Sequence, residues 1–292
     1  MKDFLEWSEE EYAAHPNTHK RYITSSKALL AYFGNMPLDR ISADGVEKYK
    51  IWRSRQRKAP QGKRSRKASK VTKRLKPATV NRELALLKNL FTRNDERVPQ
   101  NPVKRVKFLE EHNEQTRVLS RDEEKLYLLA TSEPLRSIAR LMVETGMRPE
   151  EVYRIRRENV QLEQGYVFNP YGKTKAARRK VWLTDAAMTV LSRRLEKAKH
   201  QYLFPGRVEG KPIVKVNAAH NVAVKRSGVA RFRLYDLRHT WATRAAESGV
   251  DLVTLAAMLG HSKIVMVTRY AHPTEQHQAA AMKRMQQHKA AM

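Results

Sequence analysis

A mainly α-helical protein of two domains, the second holding a small antiparallel sheet, is what this 292-residue sequence predicts. Three observations lead there. Apolar residues recur at helical spacing along most of the chain; one stretch instead alternates in the β manner on both sides of a basic run; and two segments interrupt the pattern, 53–76 with almost no apolar residue and 98–116 with its prolines and clustered charges. The length suffices for two domains that each bury a core.

In chain order, Tyr22, Ile23, Leu29, Leu30 and Phe33 place a helix from 17 or 18 to about 33, and Ser42 caps a second that runs to about Trp52. The run RSRQRKAPQGKRSRKASKVTKRLK from Arg53 to Lys76 is a basic loop, expected to order on a phosphate backbone; the competing reading is a solvated linker. Pro77 opens a helix whose stripe is Val80, Leu84, Leu87, Leu90 and Phe91. These helices form a first domain, 1–97. The stretch 98–116, with Pro99, Pro102 and clustered charges, is the expected connection, and 117–292 is the second domain.

In that domain Ser120 and Glu123 form a capping box ahead of Leu126, Leu128 and Leu129, and a helix from Leu135 to about Thr145 ends at Gly146. Tyr166 to Pro170 and Val181 to Leu183 alternate around KTKAARRK, which predicts two antiparallel strands and a basic hairpin. From Asp185 onward the pattern is helical again, with Asp236 as N-cap of a helix over 237–248 and Gly260 closing one that starts at Asp251.

Lys and Arg number 58 against 30 Asp and Glu, a formal charge of +28, so a polyanion is the expected partner. No apolar run approaches the roughly 20 residues of a spanning helix, so no membrane is expected, and MKDFLEWSEE lacks a signal-peptide pattern. With no cysteine, disulfides, thiolate zinc sites and cysteine nucleophiles are excluded, which fits a cytoplasmic, nucleoid-associated protein.

Five residues follow one another with the chemistry of phosphodiester cleavage: Arg148 in TGMRPEE, Lys173 in GKTKAARRK, Arg238 in LYDLRHTWAT, His261 in LGHS and Tyr270 in TRYAHP. Two guanidinium forks can bind the charge that gathers on a phosphate under attack. A phenol can attack in line, and a lysine or histidine can protonate the departing hydroxyl. Arg148 precedes Pro149 and so stands at a helix N-terminus, where phosphate binds readily, with Glu151 placed to hold its guanidinium; a surface ion pair is the competing reading. Arg238 falls in the first turn of its helix, where the dipole disfavours a cation unless an anion is bound. Lys173 enters a basic cluster, with Lys175 as a rival proton donor. A non-catalytic alternative reads 252–270 as a helix-turn-helix in which Ser262 caps the recognition helix.

These motifs resemble those of the tyrosine recombinase, or phage integrase, family. TGMRPEE, GKTK, YDLRHTWAT, LGHS and TRYAHP are similar to its first arginine box, lysine hairpin, second arginine box, histidine box and nucleophile box, and ATVNRELALLKNLF to the last helix of its core-binding domain. The resemblance implies a SAM-like core-binding domain and an α+β catalytic domain that form a C-shaped DNA clamp. It implies a 3′-phosphotyrosyl bond on Tyr270, a phosphate held by Arg148 and Arg238, protonation of the 5′ oxygen by Lys173, orientation by Glu151 and a hydrogen bond from His261. A homotetramer would act on two duplexes at specific recombination sites through a Holliday junction, with no cofactor and no metal. Expected DNA contacts are Arg64, Arg66, Lys67, Lys70, Lys73 and Arg74 in the basic loop and Lys175, Arg178 and Arg179 in the hairpin. One position departs: where the family usually has histidine, three residues before the second arginine, stands Tyr235, a hydrogen-bond donor but a poor base near pH 7.

Overall fold

The computed structural model describes residues 1–57, 74–111, 117–172 and 174–270, and beyond them residues 279, 282, 283, 285–287 and 289 in helical conformation. The chain divides into two compact units, Met1–Asn113 and Glu114–Met292.

The first unit is helical. Helices α1 (Lys2–Glu11), α2 (Pro16–Phe33), α3 (Ala43–Arg55) and α4 (Pro77–Arg93) surround a core of Phe4, Leu29, Val46, Tyr49, Leu84 and Phe91. The Ser42 hydroxyl accepts the Gly45 N–H at 3.1 Å, so α3 starts one residue after its cap. A buried carboxylate ties α3 to α4: Glu83 accepts from the Tyr49 hydroxyl at 2.7 Å and from the Arg53 guanidinium at 2.8 Å. Val103 and Val106 from the 98–116 stretch are buried in this core, and Leu109 exchanges backbone bonds with the Asn81 amide. Leu75 N–H donates to Gln56 O, joining the two sides of the basic loop; residues 58–73 of that loop lie outside the described residues.

The second unit begins with α5 (Arg121–Ala130), whose capping box is present: Ser120 Oγ accepts the Glu123 N–H, and Glu123 accepts the Ser120 N–H. Next come α6 (Leu135–Thr145) and α7 (Pro149–Tyr153). The sheet has three strands in the order β1 (Val160–Gln161), β2 (Tyr166–Asn169), β3 (Arg179–Trp182), all antiparallel. Val167 pairs with Val181 and Asn169 with Arg179. Alternation turns Val167, Asn169 and Val181 inward, and the buried Asn169 amide donates to Tyr171 O and Ala177 O, which fixes the base of the basic hairpin.

Helices α8 (Asp185–Lys197), α9 (Asn217–Ser227) and α10 (Asp236–Glu247) complete the main core with Ile138, Met142, Leu191 and Leu237. A smaller cluster joins α10 to α11 (Leu252–Leu259) through Ala242, Leu255, Leu259, Val267 and Tyr270. Two expectations are corrected here. Asp236 opens α10 rather than capping it, and its carboxylate accepts the Arg233 N–H upstream at 2.7 Å. Between α11 and Tyr270 there is no second α-helix: Ile264–Met266 and Thr268–Tyr270 are single 3-10 turns, so the helix-turn-helix expected over 252–270 lacks its recognition helix.

Candidate active site

Two helix ends build the site. Gly146 terminates α6 with φ +66°, and Gly260 terminates α11 with φ +66°. A Cβ at Gly146 would lie 2.3 Å from the Trp241 ring, and one at Gly260 would lie 2.8 Å from Arg179 Nη1 and 2.9 Å from Ala176 O. Glycine is therefore required at both by backbone conformation and by close approach.

The C-terminal carbonyls of these helices receive Arg238, which is fully buried. Its Nη1 donates to Gly146 O at 2.7 Å and its Nη2 to Leu259 O at 2.7 Å. The cation stands in the first turn of its own helix, where the dipole opposes it, but its guanidinium reaches the negative ends of two others. Burial still lowers it, to about 10, so it stays charged near neutrality. Arg148 Nη1 reaches the same Leu259 O at 3.3 Å, and Arg179 Nε donates to Met258 O at 2.7 Å.

Glu151 is the counter-charge. It is buried and accepts from Arg148 Nη1 at 2.8 Å and from Arg179 Nη1 and Nη2 at 3.2 and 3.1 Å; Arg238 Nη1 lies 4.0 Å away. Burial works to raise its carboxyl, but Arg179 and Arg148 outweigh that and hold it below the ordinary range. The same pairing holds the Arg148 guanidinium above its ordinary value against the effect of burial. Glu151 also accepts the N–H of Arg148, the N-cap of α7, at 2.9 Å, so the same carboxylate holds both the backbone and the guanidinium of Arg148.

Arg238 Nη2 lies 3.0 Å from His261 Nε2. A guanidinium only donates, so Nε2 accepts and the proton of the neutral imidazole sits on Nδ1. That Nδ1 and Arg238 Nε are buried polar atoms without a partner among the described residues. Two unpaired donors beside Arg148, in a field of three guanidinium groups and one carboxylate, suit an oxyanion.

Tyr270 completes the group from the second 3-10 turn. It is 3% exposed, its ring packs with Leu255 and Leu259, and its hydroxyl lies 2.7 Å from His239 Nδ1. Burial raises its phenol above the ordinary value, with Arg238 the largest opposing influence. Tyr235 lies one turn before His239 on α10, ring centroids 5.1 Å apart, and its ring is 6.0 Å from Arg238 Cζ.

Thus Arg148, Glu151, Tyr235, Arg238, His261 and Tyr270 share one site. Lys173 lies outside the described residues, as do Arg64, Arg66, Lys67, Lys70 and Lys73; Arg74, Lys175 and Arg178 are exposed. Arg179 reverses its expected role. Its side chain is 8% exposed, and its donors are engaged by Glu151, Met258 O and Ala177 O, so it supports the arginine pocket rather than facing DNA. His239 is the residue that sequence reasoning passed over; its only signal is its place directly after Arg238 in LRHT.

Burial and the surrounding arginines lower both His239 and His261 to about 4. Both are neutral in the folded protein at pH values where an unfolded histidine, near 6.5, takes up a proton. Their contribution to stability is therefore complete above about pH 6.5 and is lost as pH falls toward 4, by at most about 1.4 kcal/mol per pH unit for each. Thermal melts between pH 7 and pH 4.5 should show this loss, and His261→Gln should reduce its slope. An equal slope in that variant would sink the assignment.

The sequence profile of the phage integrase family matches residues 107–277. The integrase of Salmonella phage P22 is 29% identical over 195 residues, 62% of this chain and 47% of that protein, so the chain spans about half the length of this relative. Among solved structures, the Tn1549 transposon integrase in complex with a circular intermediate DNA superimposes with a TM-score of 0.72 at 17% identity, covering 96% of this chain and 98% of the other. A lambda integrase tetramer bound to a Holliday junction gives 0.69 at 19% identity, covering 93% and 77%. These two likenesses establish the shared fold. With the family profile spanning more than half of its length and Arg148, Arg238, His261 and Tyr270 gathered in one pocket, the chain belongs to the phage integrase family.

Proposed function

We propose that this chain is a site-specific DNA recombinase that cuts and rejoins strands through a 3′-phosphotyrosyl bond on Tyr270. The observation that carries it is the convergence of unpaired buried donors, Arg238 Nε and His261 Nδ1, with Arg148 beside a buried tyrosine hydroxyl. A scissile phosphate held there accepts from Arg148, Arg238 and His261, which stabilise the charge that develops on its non-bridging oxygens. Tyr270 Oη attacks phosphorus, and the 5′ oxygen leaves with a proton from Lys173, or from Lys175 as the rival. Glu151 and Arg179 keep the forks aimed. Tyr235 serves as a hydrogen-bonding neighbour of Arg148, not as a base.

The phosphotyrosine conserves the energy of the broken bond, so rejoining needs no cofactor. The likeness to integrases solved with DNA supports duplex DNA as the partner. A homotetramer on two duplexes, exchanging strands through a Holliday junction in the cytoplasm, is the arrangement that follows. The basic loop, with Arg64, Arg66, Lys67, Lys70, Lys73 and Arg74, would track the backbone of the DNA, together with Lys175 and Arg178.

Covalent capture tests the reading. Incubated with a pool of random-sequence nicked duplexes and quenched in SDS, the full chain should retain DNA on one peptide, that carrying Tyr270, and Tyr270→Phe should bind DNA as the parent does and retain none. DNA on another peptide, or adduct persisting in Tyr270→Phe, would sink it.

A further inference from the structure

Among the described residues the one group that touches the Tyr270 hydroxyl is His239, through Nδ1 at 2.7 Å. The His239 side chain is buried, and the ring of Tyr235 packs against it from one turn earlier on the same face of α10, with ring centroids 5.1 Å apart. This imidazole is thus held in one orientation against the nucleophile of the proposed reaction. Tyr235, the other ring nearby, is a phenol and cannot relieve Tyr270 of a proton near neutral pH.

We propose that His239 is the catalytic base that takes the Tyr270 proton as Tyr270 Oη attacks phosphorus. The inference rests on the reading of Tyr270 as nucleophile. The step balances: the bond between Tyr270 Oη and phosphorus forms, the bond from phosphorus to the 5′ oxygen breaks, and the phenol proton passes to the lone pair of His239 Nδ1. The leaving 5′ oxygen takes its proton separately, from the acid on its own side. In rejoining, protonated His239 returns its proton to the departing phenolate.

The surroundings of His239 couple its basicity to DNA. From its own helix Asp236 favours the protonated imidazole and Arg238 opposes it; Arg233 and Arg269 oppose it from the segments flanking the site, and burial opposes it most. At neutral pH the imidazole of the free protein is therefore uncharged, and in the tautomer that the proposal requires, with its proton on Nε2, Nδ1 turns a lone pair to the Tyr270 hydroxyl in a site too positive for the base to be strong. A phosphodiester bound to these arginines cancels part of that field, which raises the proton affinity of His239 when the substrate is in place. The same anion lies where phosphorus will accept the phenol oxygen, so base and electrophile arrive together.

The test uses single-turnover adduct formation by the full chain on a duplex recovered by covalent capture from the random-sequence pool. His239→Asn keeps a short polar side chain but no base. It should bind that duplex as the parent does and form adduct about 10²–10⁴-fold more slowly. Sulfur in place of the 5′ bridging oxygen, which leaves without a proton, should not relieve the defect. A fluorinated tyrosine at position 270, whose phenol ionises more readily, should restore at least about tenfold to His239→Asn at alkaline pH and change the parent little. A rate within about threefold of the parent, full relief by the sulfur substrate, or no recovery with the fluorinated tyrosine would each overturn the proposal. His239→Gln is read by the same criteria if the asparagine variant does not fold. Failure of the wider reading looks different: the parent itself would form no adduct, or Tyr270→Phe would still form one, and the proposal would fall with it.

Discussion

Arg238→Lys should bind duplex DNA nearly as well as the parent and form adduct about 10³–10⁵-fold more slowly, the scale associated with removing an arginine from a phosphoryl-transfer site. The reason lies in how the guanidinium is divided. Nη1 gives one N–H to Gly146 O and Nη2 gives both of its own to Leu259 O and His261 Nε2, which leaves the unpartnered Nε–H and the second N–H of Nη1 for a ligand. An ammonium on a flexible stem cannot span two carbonyls 113 positions apart in the chain and also present a donor in a fixed direction. Burial compounds the loss. It brings even this guanidinium down to about 10, and a lysine, which starts lower, would be driven toward its neutral form in the same site. His261 would lose the donor that fixes its tautomer, so the Nδ1 proton would no longer be assured. Single-turnover adduct formation compared with DNA retention measures the split, and a rate within about tenfold of the parent would refute the role.

Much of this site was legible because the backbone signals are local. Gly146 and Gly260 end their helices as the pattern of apolar residues predicts, and Pro149 opens the short α7 directly after Arg148. Other features were not, for reasons that can be named. Helix α1 is a short, charge-rich segment that buries only Phe4 and Ser8, and β1 is two residues long, too short for any periodicity. The run Ile264 to Tyr270 reads as a recognition helix because it is apolar, yet only Val267 and Tyr270 are buried, the three-residue spacing of 3-10 turns. Arg178, Arg179 and Lys180 look equivalent as charges. The strand distinguishes them, since Arg179 lies two residues from the buried Val181 and so points to the same face. His239 needed tertiary structure altogether: nothing local says that the next residue after Arg238 meets a hydroxyl 31 positions away.

Replacing Glu151 should produce the largest loss of stability in the second unit. Arg148, Arg179 and Arg238 converge on this one buried carboxylate, the first two by direct hydrogen bonds and the third at 4.0 Å. Removing one partner of a buried ionic group costs about 3–5 kcal/mol, because the charges left behind are neither solvated nor paired. For a domain of this size that corresponds to a fall in Tm of roughly 6–20 °C. Glu151→Gln isolates the charge from the packing, since the amide fills the same volume and can still accept one guanidinium bond. If charge is what matters, it should approach Glu151→Ala in stability, and added sulfate or phosphate should raise its Tm more than the parent's, the anion supplying the charge that the side chain lost. Adding Arg179→Met to Glu151→Gln removes one of the stranded cations, so the double variant should be more stable than the sum of the single effects predicts. Additive losses, or a Glu151→Gln protein as stable as the parent and indifferent to anions, would mean that the carboxylate does not hold the pocket together. With the predicted coupling, the carboxylate is what permits three guanidinium groups to stand in one buried pocket before any phosphate arrives.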